Sequence, residues 1–271
     1  MSKQWYENFV IEIKNVILKK INDKEVYLWR NLVVRKNQLN FEMINLIAFY
    51  IKSKYKLEWK YSIEALNSEI YEESISMIKK NINLFDGDIK EIDLSYIYQL
   101  LLSDEIILIN NTYKYISDKY SRDNIGSYYT PIDLSIELTK KTIDSYLIKK
   151  CGTSLYNIDM SNRNIIIRKI RNTKVADLSV GAGSFLLAYL IVIKKFITND
   201  KKIIKEVCNN IWGIDVDPIA LLICEYNISM KNLNDISNIN LILGNPLIES
   251  YKNINKLEIS RENRIYSNEI G

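Results

Sequence analysis

The segment between residues 173 and 246 constrains this chain more than any other part of it. Residues 173–178 read as a strand, which leads through Ser179-Val180-Gly181-Ala182-Gly183-Ser184 into an apolar helix over 185–196. A second strand, 211–216, runs into two aspartates, Asp215 and Asp217, and feeds a helix opened by Pro218; a third strand follows at 240–243. Strand, helix, strand, helix, strand in that order predicts a parallel sheet with right-handed crossovers and hence an open α/β fold. Glycines at 181 and 183 let the turn tighten and a ligand approach the main chain, while the next helix offers free amides. Asp215 ends the second strand, where a carboxylate can accept hydrogen bonds from both hydroxyls of a ribose. The physics points to a nucleoside-containing cofactor, although a lone Gly-x-Gly is equally well a tight turn with nothing bound.

Composition narrows the remaining possibilities. The chain has 271 residues, 47% of them hydrophobic and 26% charged, enough apolar material for one large domain or two small ones and too much for a disordered chain. Its longest uninterrupted apolar stretch, 185–193, is less than half of what a membrane-spanning helix needs, and acidic residues interrupt the amino terminus where a signal peptide would be apolar. A cytoplasmic location and no membrane contact are therefore expected. Cys151, Cys208 and Cys224 are odd in number and widely spaced, which argues against a disulfide framework or a zinc knuckle. With no histidine, the sequence also lacks every Ser-His or Cys-His nucleophile and nearly every zinc centre, so no metal site is expected.

Residues 1–121 read as a helical amino-terminal domain. Trp5, Phe9, Ile13, Val16 and Ile17 recur at helical spacing, as do Met43, Leu46, Ile47 and Tyr50, and the pattern predicts further helices over 92–102 and 105–120. The aromatic residues on these helices are read as core. Residues 122–271 form the second predicted domain. All three prolines and six of the eight glycines fall between 126 and 246. Thr130 is placed as a helix cap, with Pro131 at the first helical position. The net charge of +4 comes entirely from residues 121–271, where Lys and Arg cluster around 140–150, 163–174 and 194–205. Such clusters suit a phosphate-facing surface and ordinary solvated helices equally.

Four motifs in order resemble those of the gamma-type, adenine-specific, S-adenosylmethionine-dependent DNA methyltransferases, as in type I modification subunits and fused restriction-modification proteins. They are Gly126-Ser127-Tyr128-Tyr129-Thr130-Pro131, then Val175 through Leu186 around Asp177-Leu178-Ser179-Val180-Gly181-Ala182-Gly183, then Trp212-Gly213-Ile214-Asp215-Val216-Asp217-Pro218, then Gly244-Asn245-Pro246-Leu247. Ile97-Tyr98-Gln99 is similar to an Ile-Tyr-Glu segment ahead of the Tyr-Thr-Pro motif. The resemblance implies a Rossmann-like S-adenosylmethionine-binding domain after the helical one. Tyr128, Thr130 and Pro131 would lie beside the methionine end of the cofactor. Asp177, Gly181, Gly183 and Phe185 would form its loop, Asp215 would hold the ribose, and Val216 would pack on the adenine. Asn245, with Leu247 beside it, would lie near the adenine amino group.

The chain departs from the family at one point that matters. The catalytic Asn-Pro-Pro-Tyr motif expected after Gly244 is absent, and residues 251–271 contain no proline. Methylating adenine requires flipping the base out, stacking it on an aromatic residue and accepting its amino hydrogens. A split enzyme is therefore expected, with a partial parallel sheet here and a second subunit that supplies the catalytic motif, target recognition and, through the complex, double-stranded DNA. The alternatives are a degenerate single-chain enzyme using Asn245 and Pro246, acting on DNA or another acceptor, and a non-catalytic scaffold subunit.

Overall fold

Apolar residues spaced three and four apart along Lys3–Asn22 make a helix, α1, whose stripe of Phe9, Ile13, Ile17 and Ile21 is fully buried. The computed structural model describes residues 3–23, 29–56, 70–117, 130–230 and 239–246. It divides into two compact units, residues 1–128 and 129–271.

In the first unit α1 packs with α2 (Trp29–Lys54), α3 (Tyr71–Asn83) and α4 (Leu94–Leu102). Met43, Leu46, Ile47 and Ile51 of α2 are wholly inside. Asp93 starts α4 by accepting hydrogen bonds from the amides of Ser95 (2.9 Å) and Tyr96 (3.1 Å), and its own amide donates to the Tyr6 hydroxyl at 3.0 Å. Trp5 packs on Phe9 and edge-on against Phe85, so these aromatics serve the core, as expected.

The helix predicted over 105–120 is not there. Asp104–Ile109 (β1) and Thr112–Ser117 (β2) instead form an antiparallel hairpin in which Ile109 faces Thr112. The physical reason lies in Asn110 and Asn111, which adopt φ of 49° and 59°. Two consecutive residues with positive φ make the turn whose twist matches a two-stranded ribbon, and asparagine is among the few residues that tolerate it. Ile106-Ile107-Leu108-Ile109 fits either period, so the turn decides.

The second unit opens with α5 (Ile132–Cys151), closed by Gly152 at φ 67°. Here too the structure corrects an expectation. Pro131, not Thr130, occupies the cap position, with extended backbone and no side-chain cap, and the helix starts at Ile132. Then follow α6 (Arg163–Arg171), β3 (Val175–Asp177), α7 (Ser184–Val192, continued by a π-helical turn Ile193–Ile197), α8 (Lys201–Cys208), β4 (Ile211–Asp215), α9 (Pro218–Met230) and β5 (Asn240–Leu243). The strands pair in parallel in the order β3, β4, β5, with Asp177 beside Gly213 and Asp215 beside Leu243. One core joins Ile143 and Leu147 of α5, Leu186 and Leu190 of α7, and Leu221 and Ile228 of α9. Gly213 is a packing requirement, because a Cβ there would come within 2.9 Å of Leu241 Cδ2 and 3.0 Å of Val180 Cγ2. The fold is thus mixed α/β, mostly helical with two small sheets. Among the described residues no helix is long and apolar enough to cross a membrane.

Candidate functional site

Parallel pairing brings the carboxyl ends of β3, β4 and β5 to one edge, and there the main chain is stitched together around Asp215. Its Oδ2 accepts the Gly181 amide at 2.8 Å, its Oδ1 accepts the Asp217 amide at 3.0 Å, and its carbonyl accepts the Gly244 amide at 2.9 Å. The Val180 amide reaches the Ile214 carbonyl at 2.9 Å, and the Gly183 amide closes the turn on the Val180 carbonyl at 2.9 Å. One carboxylate therefore touches the turn after β3 while its backbone touches the turn after β5. Asp177, Gly181, Gly183, Asp215 and Asn245, which the sequence lists separately, belong to this one edge.

The glycine turn is required by conformation and by space. Gly181 and Gly183 have φ of 50° and 83°, a region where a side chain is strained. At Gly183 an added Cβ would also come within 2.5 Å of Cys224 Sγ and 3.4 Å of Cys224 Cα. Gly183 thereby lets α7 begin in contact with α9. Asn227, one turn further along α9, donates to the Ala182 carbonyl at 3.0 Å and holds the turn from beneath. Sequence reading assigned no role to Asn227. An amide within the otherwise apolar run of α9 is the signal the sequence offers, and Cys224 enters the sequence reading only as one of three widely spaced cysteines.

Chemically the edge is acidic and part apolar. Residues 175–193 and 207–230 contain no Lys or Arg, yet they carry Asp177, Asp215, Asp217 and Glu225. Burial, then the neighbouring Asp215, raises the Asp177 carboxyl above its ordinary range, against the Ser179 amide that donates to it at 3.1 Å. Burial raises the Cys224 thiol, with Glu225, Asp177 and Asp215 acting in the same sense, so Cys224 is an inert thiol. Asp217 caps α9 by accepting the Ile219 amide at 2.8 Å. Beside these acids stand open apolar side chains, among them Val216 at 63% exposure and Phe185 at 38%.

The other expected residues fall into three groups. Thr130 and Pro131 precede α5, the helix that packs along α7. Tyr128 and Leu247 lie outside the described residues. Asn245 and Pro246 follow β5 after Gly244 and are half-buried.

Comparison with known proteins adds an independent line. The sequence model of the N-6 DNA methylase family matches residues 105–269, a span containing both the glycine turn and the Asp215 edge. A protein of Methanocaldococcus jannaschii, named as a type II restriction enzyme and methyltransferase, is 22% identical over 176 residues, covering 53% of this chain. The matched region is only 14% of that protein. No solved structure matches.

Proposed function

Because this chain belongs to the N-6 DNA methylase family, we propose that residues 129–271 form a Rossmann-like site for S-adenosylmethionine, serving methyl transfer to the exocyclic amino group of adenine in DNA. The observation that carries this reading is the 2.8 Å bond from Gly181 to Asp215, which sets an acidic strand end against a glycine turn at the carboxyl edge of a parallel sheet. Nucleoside cofactors are gripped at such an edge. The residues present fit the group. Each Asp215 oxygen accepts one amide and keeps a lone pair for a ribose hydroxyl. Val216 and Phe185 offer open apolar surface for the adenine ring, Asn245 stands by the same edge, and the excess of acid suits a ligand that carries a sulfonium and an ammonium. Thr130 and Pro131, with Tyr128, would serve its methionine end, and Leu247 would extend the adenine side.

When bound, S-adenosylmethionine supplies an electrophilic methyl group. The described residues of this chain bind and orient that group and offer no acceptor site for the flipped base. The sequence contains no Asn-Pro-Pro-aromatic motif, and Asn245-Pro246 follows the strand beside β4 after Gly244, with the Gly244 amide on Asp215. That placement suits a cofactor contact better than an adenine clamp. We therefore assign catalysis and target recognition to a second polypeptide segment acting with these residues, which would also bring in double-stranded DNA.

Calorimetric titration of S-adenosylmethionine into the purified chain tests the cofactor site. Saturable binding is expected, weakened at least tenfold by Asp215→Ala. A folded chain that takes up no S-adenosylmethionine overturns the reading. Methyl transfer to DNA by the chain alone, abolished by Asn245→Ala, overturns the assignment of catalysis to a second segment.

A further inference from the structure

The basic clusters seen in the sequence find no use at the cofactor edge, which carries no cation among the described residues. The fold gathers one part of them on α6 and α8, which pack together. α6 ends at Arg171, just before β3 begins, and α8 ends at Cys208, just before β4 begins; the Asn210 amide donates to the Arg171 carbonyl at 2.7 Å. This helix pair therefore covers the amino ends of the strands, opposite the glycine turn and Asp215.

Its charge is one-sided. α6 carries four cations and no acid, while α8 carries three lysines and Glu206. The acids available are already engaged. Glu206 pairs with Arg171, and Asp200 spends its Oδ1 on capping α8 through the amides of Lys202 (2.8 Å) and Ile203 (3.1 Å). Beneath, Ile166, Ile170, Ile204 and Val207 are buried, so the cations project from a fixed apolar base. Helix dipoles account for only part of this charge. Arg168, Lys169 and Lys205 sit in last turns, where a cation is favoured, but Lys201 and Lys202 sit in the first turn of α8, where it is not. Lys174, beside this end of the sheet, lies 5.8 Å from the centroid of the Trp212 ring and extends the same positive stripe.

We propose that the α6–α8 surface is a second contact of this chain with duplex DNA, one that grips the phosphate backbone without reading sequence. The proposal rests on the DNA-methylating reading above and adds to it a place for the duplex. A cofactor edge lined by carboxylates repels phosphates, so this unit needs its electrostatic hold elsewhere, and the opposite end of the sheet supplies it. Such contacts position the duplex and supply affinity that falls with salt.

The test is fluorescence anisotropy of a labelled duplex of arbitrary sequence, titrated with the full 271-residue chain at several salt concentrations. The variant carries Arg168→Gln, Lys169→Gln and Lys205→Gln, all exposed positions, and the control carries Lys149→Gln and Lys150→Gln at the end of α5. The expected result is a loss of at least about tenfold in affinity for the triple variant, with a salt slope shallower by roughly one for each phosphate contact removed. The α5 control should stay near wild type. S-adenosylmethionine titration of the same variant reports folding and keeps the two readings apart, because a wild-type uptake of cofactor leaves only the DNA surface changed. Overturning results are a wild-type chain that leaves the duplex free, a triple variant that binds DNA as wild type does, and equal losses in the variant and the α5 control. Should the triple variant lose cofactor binding as well, Lys205→Gln alone decides by the same criterion, with a smaller but measurable change in slope.

Discussion

The two units hold their small sheets in place by opposite means. In the first, side chains from helices pin the hairpin. Lys14 of α1 pairs with the Asp104 carboxylate at 2.7 Å, Lys36 of α2 donates to the Asp104 carbonyl at 2.8 Å, and the Asn22 amide both accepts from and donates to the Tyr113 backbone, at 2.8 and 3.2 Å. In the second, main-chain amides and glycines do most of the holding at the carboxyl edge, with the Asp215 carboxylate at their centre and the Asn227 side chain beneath the turn. The difference bears on function. A sheet pinned by side chains buries its polar groups on one another, whereas a strand end held by glycine turns leaves amides, carboxylate lone pairs and open backbone where a ligand can reach them. Changes to the first unit should register as stability alone, and changes at the second as stability and binding together.

The largest expected effect comes from adding one methyl group to the second unit. Gly183→Ala should cost about 3 kcal/mol, combining a strained left-handed φ with the intrusion on Cys224. It should also remove S-adenosylmethionine binding. Urea denaturation checks the first statement and calorimetry the second. In a Cys224→Ala background the same substitution should cost roughly half as much, because the closest atom is gone and the backbone strain remains with only the looser 3.3 Å approach to the Cβ of residue 224. An unchanged cost in that background would show that packing against α9 plays no part.

In the first unit, Asp104→Ala strands the mostly buried Lys14 ammonium and should cost about 2 kcal/mol. Cofactor affinity should not change. If the titration weakened in step with the denaturation midpoint, the separation between the two units would fail.

Much of this contrast was legible in the sequence, and the reasons it was or was not are specific. The strands 175–177, 211–215 and 240–243 were foreseen within a residue or two, because Gly-x-Gly and Asp-x-Asp-Pro fix local backbone geometry whatever surrounds them. The Phe9, Ile13 and Ile17 stripe was visible for a similar reason, since period alone determines which face is buried. Residues 105–117 were misread because their apolar run fits both periods and the deciding turn is Asn-Asn, a weaker signal than Asn-Gly. The anchors Lys14, Lys36 and Asn22 act 68 to 91 residues away along the chain, a range no local pattern reports. Thr130 failed as a cap because a proline at the following position already carries the extended backbone that a cap requires, and the helix starts one residue later. At the candidate edge, spacing alone sets Asp215 and both glycines at strand ends, whereas Cys224 and Asn227, which support the glycine turn from α9, needed the tertiary packing.

Protonation offers a gentler probe of the second unit. Asp177 has its folded pKa raised by burial and by Asp215. A carboxyl with a raised folded pKa binds its proton more tightly when folded, so its ionised form costs stability. The cost is absent below the ordinary carboxylate range and is complete once pH has risen through the raised value. Asp177→Asn should therefore leave the acid-side stability nearly unchanged and raise the neutral-pH value by less than about 1 kcal/mol, since the group is partly open to water. Thermal melts from pH 3 to 8 show whether the gap between variant and wild type opens with rising pH. A gap that opens toward acid instead would reverse the assigned direction.

The smallest change returns to the hairpin and asks how much of it depends on its turn. Asn111 sits at φ 59°, a conformation asparagine tolerates and glycine adopts freely. Asn111→Gly converts Asn-Asn into the pair most favoured in this two-residue turn and should stabilise the first unit by about 0.5 kcal/mol, the gain in the folded state being partly offset by a freer unfolded chain. Asn111→Val imposes a branched side chain on the same backbone and should destabilise it by more than that. Opposite signs for the two variants, with cofactor affinity equal in both, would establish that the turn selects strand over helix here and that the hairpin's contribution ends at stability. If Asn111→Val were neutral, the side-chain anchors on Asp104 and Tyr113 would be sufficient to specify the hairpin without the turn.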